Sequence, residues 1–185
     1  MNASDGGTDS GRWYSAGVAD LERMAKSLRD ESIGLRSPSI GTVEGRVAFY
    51  KRVANLAAEA EPDRIIVRAS KSVCAICMPE TLGVAVVDAI RTRCQSLGPI
   101  VAHPRSRTWT FLTRPDLPDF PEVFEGLFRY QVKVISSGGV IALPCPLDEQ
   151  TGFRSWIEAP HDTYRPSARV LLDTVRACLP APGQV

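Results

Sequence analysis

Long apolar runs are missing from this chain of 185 residues, and so is any excess of charge. No segment approaches the roughly 18 consecutive apolar residues of a membrane-spanning helix, so no membrane partner is expected. The opening MNASDGGTDSG lacks both the positive flank and the apolar stretch of a secretory signal. With 22 basic residues against 21 acidic the net charge is +1, which gives no general attraction to nucleic acid or anionic lipid. Any such binding has to come from a local patch. Histidine is scarce, with His103 and His161 far apart in sequence. The five cysteines, Cys74, Cys77, Cys94, Cys145 and Cys178, are odd in number and embedded in apolar patterns, as expected of reduced thiols in a cytoplasmic protein. Absent too are G-x-S-x-G, G-x-x-x-x-G-K-[ST], a G-x-G-x-x-G after a strand, and H-E-x-x-H, so the motif-borne nucleophile, phosphate and zinc chemistries have no foothold.

What is present is a well-patterned interior. A hydrophobic fraction of 44% with 23% charged residues is ordinary globular usage. Residues 1–14, rich in Gly, Ser, Asp and Asn, are expected to be a disordered tail, 15–180 a single domain, and 181–185 a short C-terminal tail. Helical spacing runs through Val18, Leu21, Ala25 and Leu28. It resumes after a candidate N-cap, Thr42, through Val43, Val47, Tyr50, Ala54 and Ala57, and Pro62 is expected to end that helix.

The period then changes. RIIVRAS and KSVCAICMP predict a hairpin over 64–78, and a helix with Leu82, Val86, Ala89 and Ile90 follows. PIVAHP and TWTFLT predict a second hairpin, with Trp109 and Phe111 on one face of the sheet. A short helix through Val123, Leu127 and Tyr130 leads to VKVIS and GVIAL, a third hairpin about Ser137 and Gly138. A last helix starts near Pro166 and carries Ala168, Leu171, Leu172 and Val175. Hairpin-linked strands with packed helices define an α+β fold on a mainly antiparallel sheet.

Three constellations could carry chemistry. CAIC at 74–77 has metal-ligand spacing, but a strand sends residues three apart to opposite faces, and no second pair of ligands exists, so buried thiols and no metal are expected. His103, Arg105, Arg107 and Arg114 surround the strand of Trp109, an alternation of base and aromatic suited to a phosphate backbone and a stacked base. The competing reading is a solvated turn with Trp109 in the core. Beyond the third hairpin, Asp148 to Trp156 gathers carboxylates, Arg154, Phe153 and Trp156 into a polar loop that would hold a nucleotide or peptide, or would be a surface loop pinned by its aromatics.

GPIVAHPRSRTWTFL, followed by SSGGVIALPCPLDEQTGFRSWI, resembles the second half of the primase-polymerase domain of bifunctional DNA primase/polymerases, and more closely a group of short actinobacterial proteins related to it. Some of those carry the label of an RNA polymerase β subunit. Gly138, Gly139, Val140, Pro144 and Pro146 match one motif of the domain, and Gly152, Phe153, Arg154 and Trp156 another. The resemblance implies a primase-polymerase-like α+β fold and two-metal nucleotidyl transfer, which needs an acidic pair on a strand. IIVRASKSVCAICMP, the corresponding region, contains no acid. The expected function is therefore a nucleic-acid-associated or regulatory one without catalytic residues or cofactor, with single-stranded DNA or a nucleic-acid-processing protein as partner. Its expected contacts are His103, Arg105, Arg107, Trp109, Arg114, Phe153, Arg154 and Trp156. The alternative is a protein-protein interaction module.

Overall fold

A computed structural model of the chain describes residues 41–93, 95–117 and 126–179. The expected helix at 18–31 and most of the one around Val123 fall outside them. Helix α1 (Val43–Arg52) starts where the sequence says it should, with Thr42 Oγ1 accepting from Gly45 N at 3.1 Å. Glu44 in its first turn and Lys51 and Arg52 in its last complement the helix dipole.

The helix ends well before Pro62, and the difference exposes a strand that the pattern of the sequence conceals. Strand β1 (Ala58–Glu61) reverses through Pro62 and Asp63 into β2 (Arg64–Arg68), with Glu61 opposite Arg64. Alternating Ala and Glu favour helix by propensity, but pairing with β2 buries Ala58 completely and overrides it. Strand β3 (Cys74–Pro79), α2 (Glu80–Thr92), β4 (Ile100–His103) and β5 (Thr108–Thr113) follow. After a 3₁₀ turn at Leu127–Tyr130 come β6 (Lys133–Ile135), β7 (Val140–Leu143), α3 (Pro146–Thr151), β8 (Ser155–Glu158) and α4 (Ala168–Cys178).

The class is α+β, and both sheets are antiparallel. One is β1-β2-β7, the other β6-β3-β5-β4-β8. Of the three hairpins expected, β4-β5 forms as such, with His103 opposite Thr108. The other two do not close. β2 and β3 are halves of one bent strand, and so are β6 and β7, and the two bent strands pair along their length. Arg68 faces Val140 in the small sheet and Ala75 faces Ile135 in the large one, so seven residue steps on one side oppose five on the other. The surplus is taken up at the bend, where Ser70 N donates to Val73 O and Ala69 bonds through Gly138 and Gly139. Gly138 supplies the positive φ of 85° that this corner needs.

Two cores result, one on each face of the large sheet. Cys74, Ile76, Met78, Trp109 and Phe111 face α2 and α4, which contribute Val86, Ile90, Leu171, Leu172 and Val175. Ala75, Leu112, Val101 and Trp156 face α1 and the small sheet, represented by Tyr50, Ile65, Val67, Ile141 and Leu143. Helix α2 approaches closely because Gly83 lies flat on the Trp109 indole. A Cβ there would come within 2.7 Å of the ring. The stripe expected on α4 is the one buried, and Ser167 caps it at Val170 N. Among the described residues no helix is long and apolar enough to cross a membrane.

Candidate nucleic-acid interface

The small sheet and α1 pack on one face of the large sheet around Ala75, Val101, Leu112 and Trp156, toward one end of its strands. At the other end the pairing of Lys133 with Cys77 and of Cys77 with Thr110 sets three side chains in a row on that face, Lys133 exposed, Cys77 half-buried and Thr110 buried. His103, two residues beyond Val101, shares the face and meets Thr110, with Nε2 at 2.9 Å from Oγ1. From β6 to β4 this shelf spans about 14 Å, three inter-strand spacings.

The segment after β7 forms the rim. It is not the polar loop expected from sequence: Cys145 caps the short helix α3, and Gly152, in the left-handed region at φ 63°, ends it before β8. Asp148 is the pin. Its Oδ2 accepts from Cys145 N at 2.7 Å and from Arg154 Nη1 at 3.2 Å, and only 3% of the residue is exposed. The carboxylate is thus consumed by its own neighbours, and Phe153 is left 42% exposed at the rim. Arg105, from the β4-β5 turn, places its guanidinium carbon 3.9 Å from the Phe153 ring centre, and Arg154 lies at 5.7 Å.

Four of the residues singled out from sequence therefore converge: His103, Arg105, Phe153 and Arg154. Arg107 stands on the same turn, exposed, with φ 50° and its carbonyl accepting from Glu80 N at the start of α2. Arg114 does not join them. It sits at the far end of β5, about 20 Å along the strand, with Asp116 at 3.9 Å. Trp109 and Trp156 are corrected outright as stacking platforms. Trp109 is 8% exposed beneath Gly83, and Trp156 is 4% exposed with Nε1 donating to Tyr50 Oη at 3.1 Å. Sequence reasoning puts Thr110 on the face opposite Trp109 but gives it no role, and it overlooks Lys133 and the pinning role of Asp148. Strand alternation from Thr108 would find Thr110, and Pro146 followed two residues on by Asp148 is a helix-start signal.

Nor is His103 a cation at neutral pH. Burial, and then the nearby Arg154 charge, push its pKa below the ordinary 6.5, with Asp148 pulling weakly the other way. The unfolded chain consequently takes up more protons than the folded one as pH falls through 6.5, and stability is lost on acidification. Denaturant midpoints of wild type and His103→Gln should draw together as pH falls from about 7.5 to about 5. A gap that stays constant over that range would contradict the assignment.

The cysteines and acids complete the inventory. Cys74 points into one core and Cys77 to the opposite face, as a strand requires. Burial raises the thiols of Cys74 and Cys145, the latter also through Asp148, so neither is a thiolate nucleophile near pH 7. An acidic pair does occur on a strand, contrary to the expectation from sequence: Glu59 and Glu61 on β1. Each faces an arginine of β2, Glu59 with Arg68 at 3.9 Å and Glu61 with Arg64. Among the described residues no three His, Cys, Asp or Glu side chains gather as a metal ion would require. No protein-family model, curated protein or solved structure matches the chain.

Proposed function

We propose that this chain is a non-catalytic, nucleic-acid-associated cytoplasmic protein that holds single-stranded DNA across the shelf between Lys133 and Arg105. One observation carries the reading: an exposed aromatic ring, Phe153, is flanked by two arginines while the carboxylate beside it is buried and neutralised. A base stacking on Phe153 takes the place of the Arg105 guanidinium, which is then released to a phosphate. Stacking and charge thus strengthen together. The resemblance to the primase-polymerase domain favours the same partner class, and arginine pairing of Glu59 and Glu61 favours a role without nucleotidyl transfer.

Fluorescence titration with labelled single-stranded DNA tests it. Affinity should fall steeply with salt, and the Arg105→Ala, Arg107→Ala double variant should flatten the slope by roughly 0.7 for each phosphate it no longer neutralises. Phe153→Ala should cost about 1–3 kcal/mol at any salt concentration. Absence of binding at low salt would turn the reading to a protein-protein interaction module. Binding that all three substitutions leave unchanged would move the interface elsewhere.

A further inference from the structure

A second exposed phenylalanine stands at the same end of the large sheet as the shelf, at the opposite corner from Phe153. Strand β8 starts at this end with Ser155 opposite Ala102, and β6 starts here with Lys133 opposite Cys77. The 3₁₀ turn Leu127–Tyr130 leads directly into β6. Residues three apart in such a turn lie above one another, so Leu127 and Tyr130 pack against the core while Phe128 and Arg129 are turned away. Phe128 is left 80% exposed. The turn that displays it is closed, with Gln131 N donating to Phe128 O at 3.0 Å and Val132 N to Leu127 O at 3.2 Å.

An exposed aromatic ring followed by an arginine thus occurs twice, as Phe128 with Arg129 and as Phe153 with Arg154. The order β6-β3-β5-β4-β8 sets the two corners four inter-strand spacings apart, about 19 Å. Arg154 is committed to Asp148, but Arg105, Arg107, Arg129 and Lys133 are exposed and have no carboxylate partner among the described residues. In the connections that meet at this end, 79–80, 103–108, 126–133 and 151–155, Glu80 is the single carboxylate. The local balance is therefore basic, as a phosphate backbone requires.

Resting on the reading of the shelf as a contact for single-stranded DNA, we propose that Phe128 is a second stacking platform. One strand then runs from Phe153 to Phe128 and passes its phosphates along Arg105, Arg107 and Lys133. The span sets the length of the ligand. A distance of about 19 Å takes about six nucleotides at a rise of roughly 3.4 Å each, and fewer when the strand is extended. The sheet also sets the kind of ligand, because a twist of about 20° from strand to strand turns one corner by about 80° relative to the other. A flexible single strand follows that turn and has free base faces for both rings, whereas a duplex keeps its bases stacked on each other.

Fluorescence anisotropy with labelled oligothymidylates of about 2 to 12 nucleotides, at low salt, is the test. Wild-type affinity should rise steeply up to about six nucleotides, where a strand first reaches both rings, and weakly beyond. For the longest member, Phe128→Ala should weaken binding about tenfold or more, with the salt slope and the melting temperature unchanged, and Phe128→Trp should bind as wild type does. The losses in Phe128→Ala and Phe153→Ala should multiply in the double variant, because one strand uses both rings. Wild-type binding that Phe153→Ala weakens and Phe128→Ala leaves unchanged would overturn this proposal and leave the shelf standing, as would a double variant no weaker than Phe153→Ala alone. No binding of any length by wild type would overturn both.

Discussion

Trp156→Ala should remove about 3–5 kcal/mol of folding stability, a large share of what a domain of this size has in total. The indole is buried between the large sheet and α1, packed edge-on to Tyr50 with ring centres 5.8 Å apart. It is also the outer link of a buried chain in which Trp156 donates to the Tyr50 hydroxyl and that hydroxyl donates to the Pro144 carbonyl at 2.7 Å. Burial pushes the Tyr50 hydroxyl up to about 12, against the pull of Arg46 and the Trp156 hydrogen bond, so the proton that makes the second link is always present. Tyr50→Phe keeps the ring and deletes both links, stranding an indole N–H and a carbonyl in the core, at a cost of about 1–3 kcal/mol. The double variant Tyr50→Phe, Trp156→Ala should lose less than the two single losses added, because the groups share one network. Urea denaturation measures all three. A loss below about 1 kcal/mol for Trp156→Ala would return that residue to the surface-loop role.

Asp148→Ala should be the most damaging substitution at the rim, costing about 3–5 kcal/mol. It leaves the Arg154 guanidinium, whose side chain is 13% exposed, without its anion, and the Cys145 amide without its acceptor. Adding Arg154→Ala should then restore part of the stability, since the stranded charge is gone. Asp148→Asn, which keeps an acceptor for the amide, should fall between wild type and the alanine variant. If the double variant is no more stable than Asp148→Ala, the penalty does not come from an orphaned charge. In that case the capping bond to Cys145 is what holds α3.

Those two results turn on residues whose surroundings the sequence does not display, and the reason is physical. Local signals identify what local chemistry decides. Thr42 caps α1, Trp109 and Phe111 share one face of β5, and the stripe on α4 is buried. Ser70 with Lys71 and Ser137 with Gly138 are turn-forming residues in the same sense, and the chain does change direction at both. Turn chemistry, however, does not say whether a strand folds back on itself or bends into another sheet. That is settled by partners remote in the chain, Arg68 against Val140 and Ala75 against Ile135. β1 is hidden for a related reason, its Ala and Glu favouring a helix until β2 offers a ladder. At the site, Arg105, Phe153 and Arg154 can be found because charge beside an aromatic is visible in sequence. The depth of Trp109 and Trp156 cannot, since it depends on Gly83 from one helix and Tyr50 from another.

The bent strands also make the chain indivisible. The small sheet needs every residue from β1 through β7 on one piece, and the large sheet needs everything from β3 through β8. These stretches overlap from Cys74 to Leu143, so no single break between Ala58 and Glu158 leaves both sheets with all their strands on one fragment. A protease nick at the exposed β4-β5 turn, beside Arg105, would sever the basic shelf and open both cores at once.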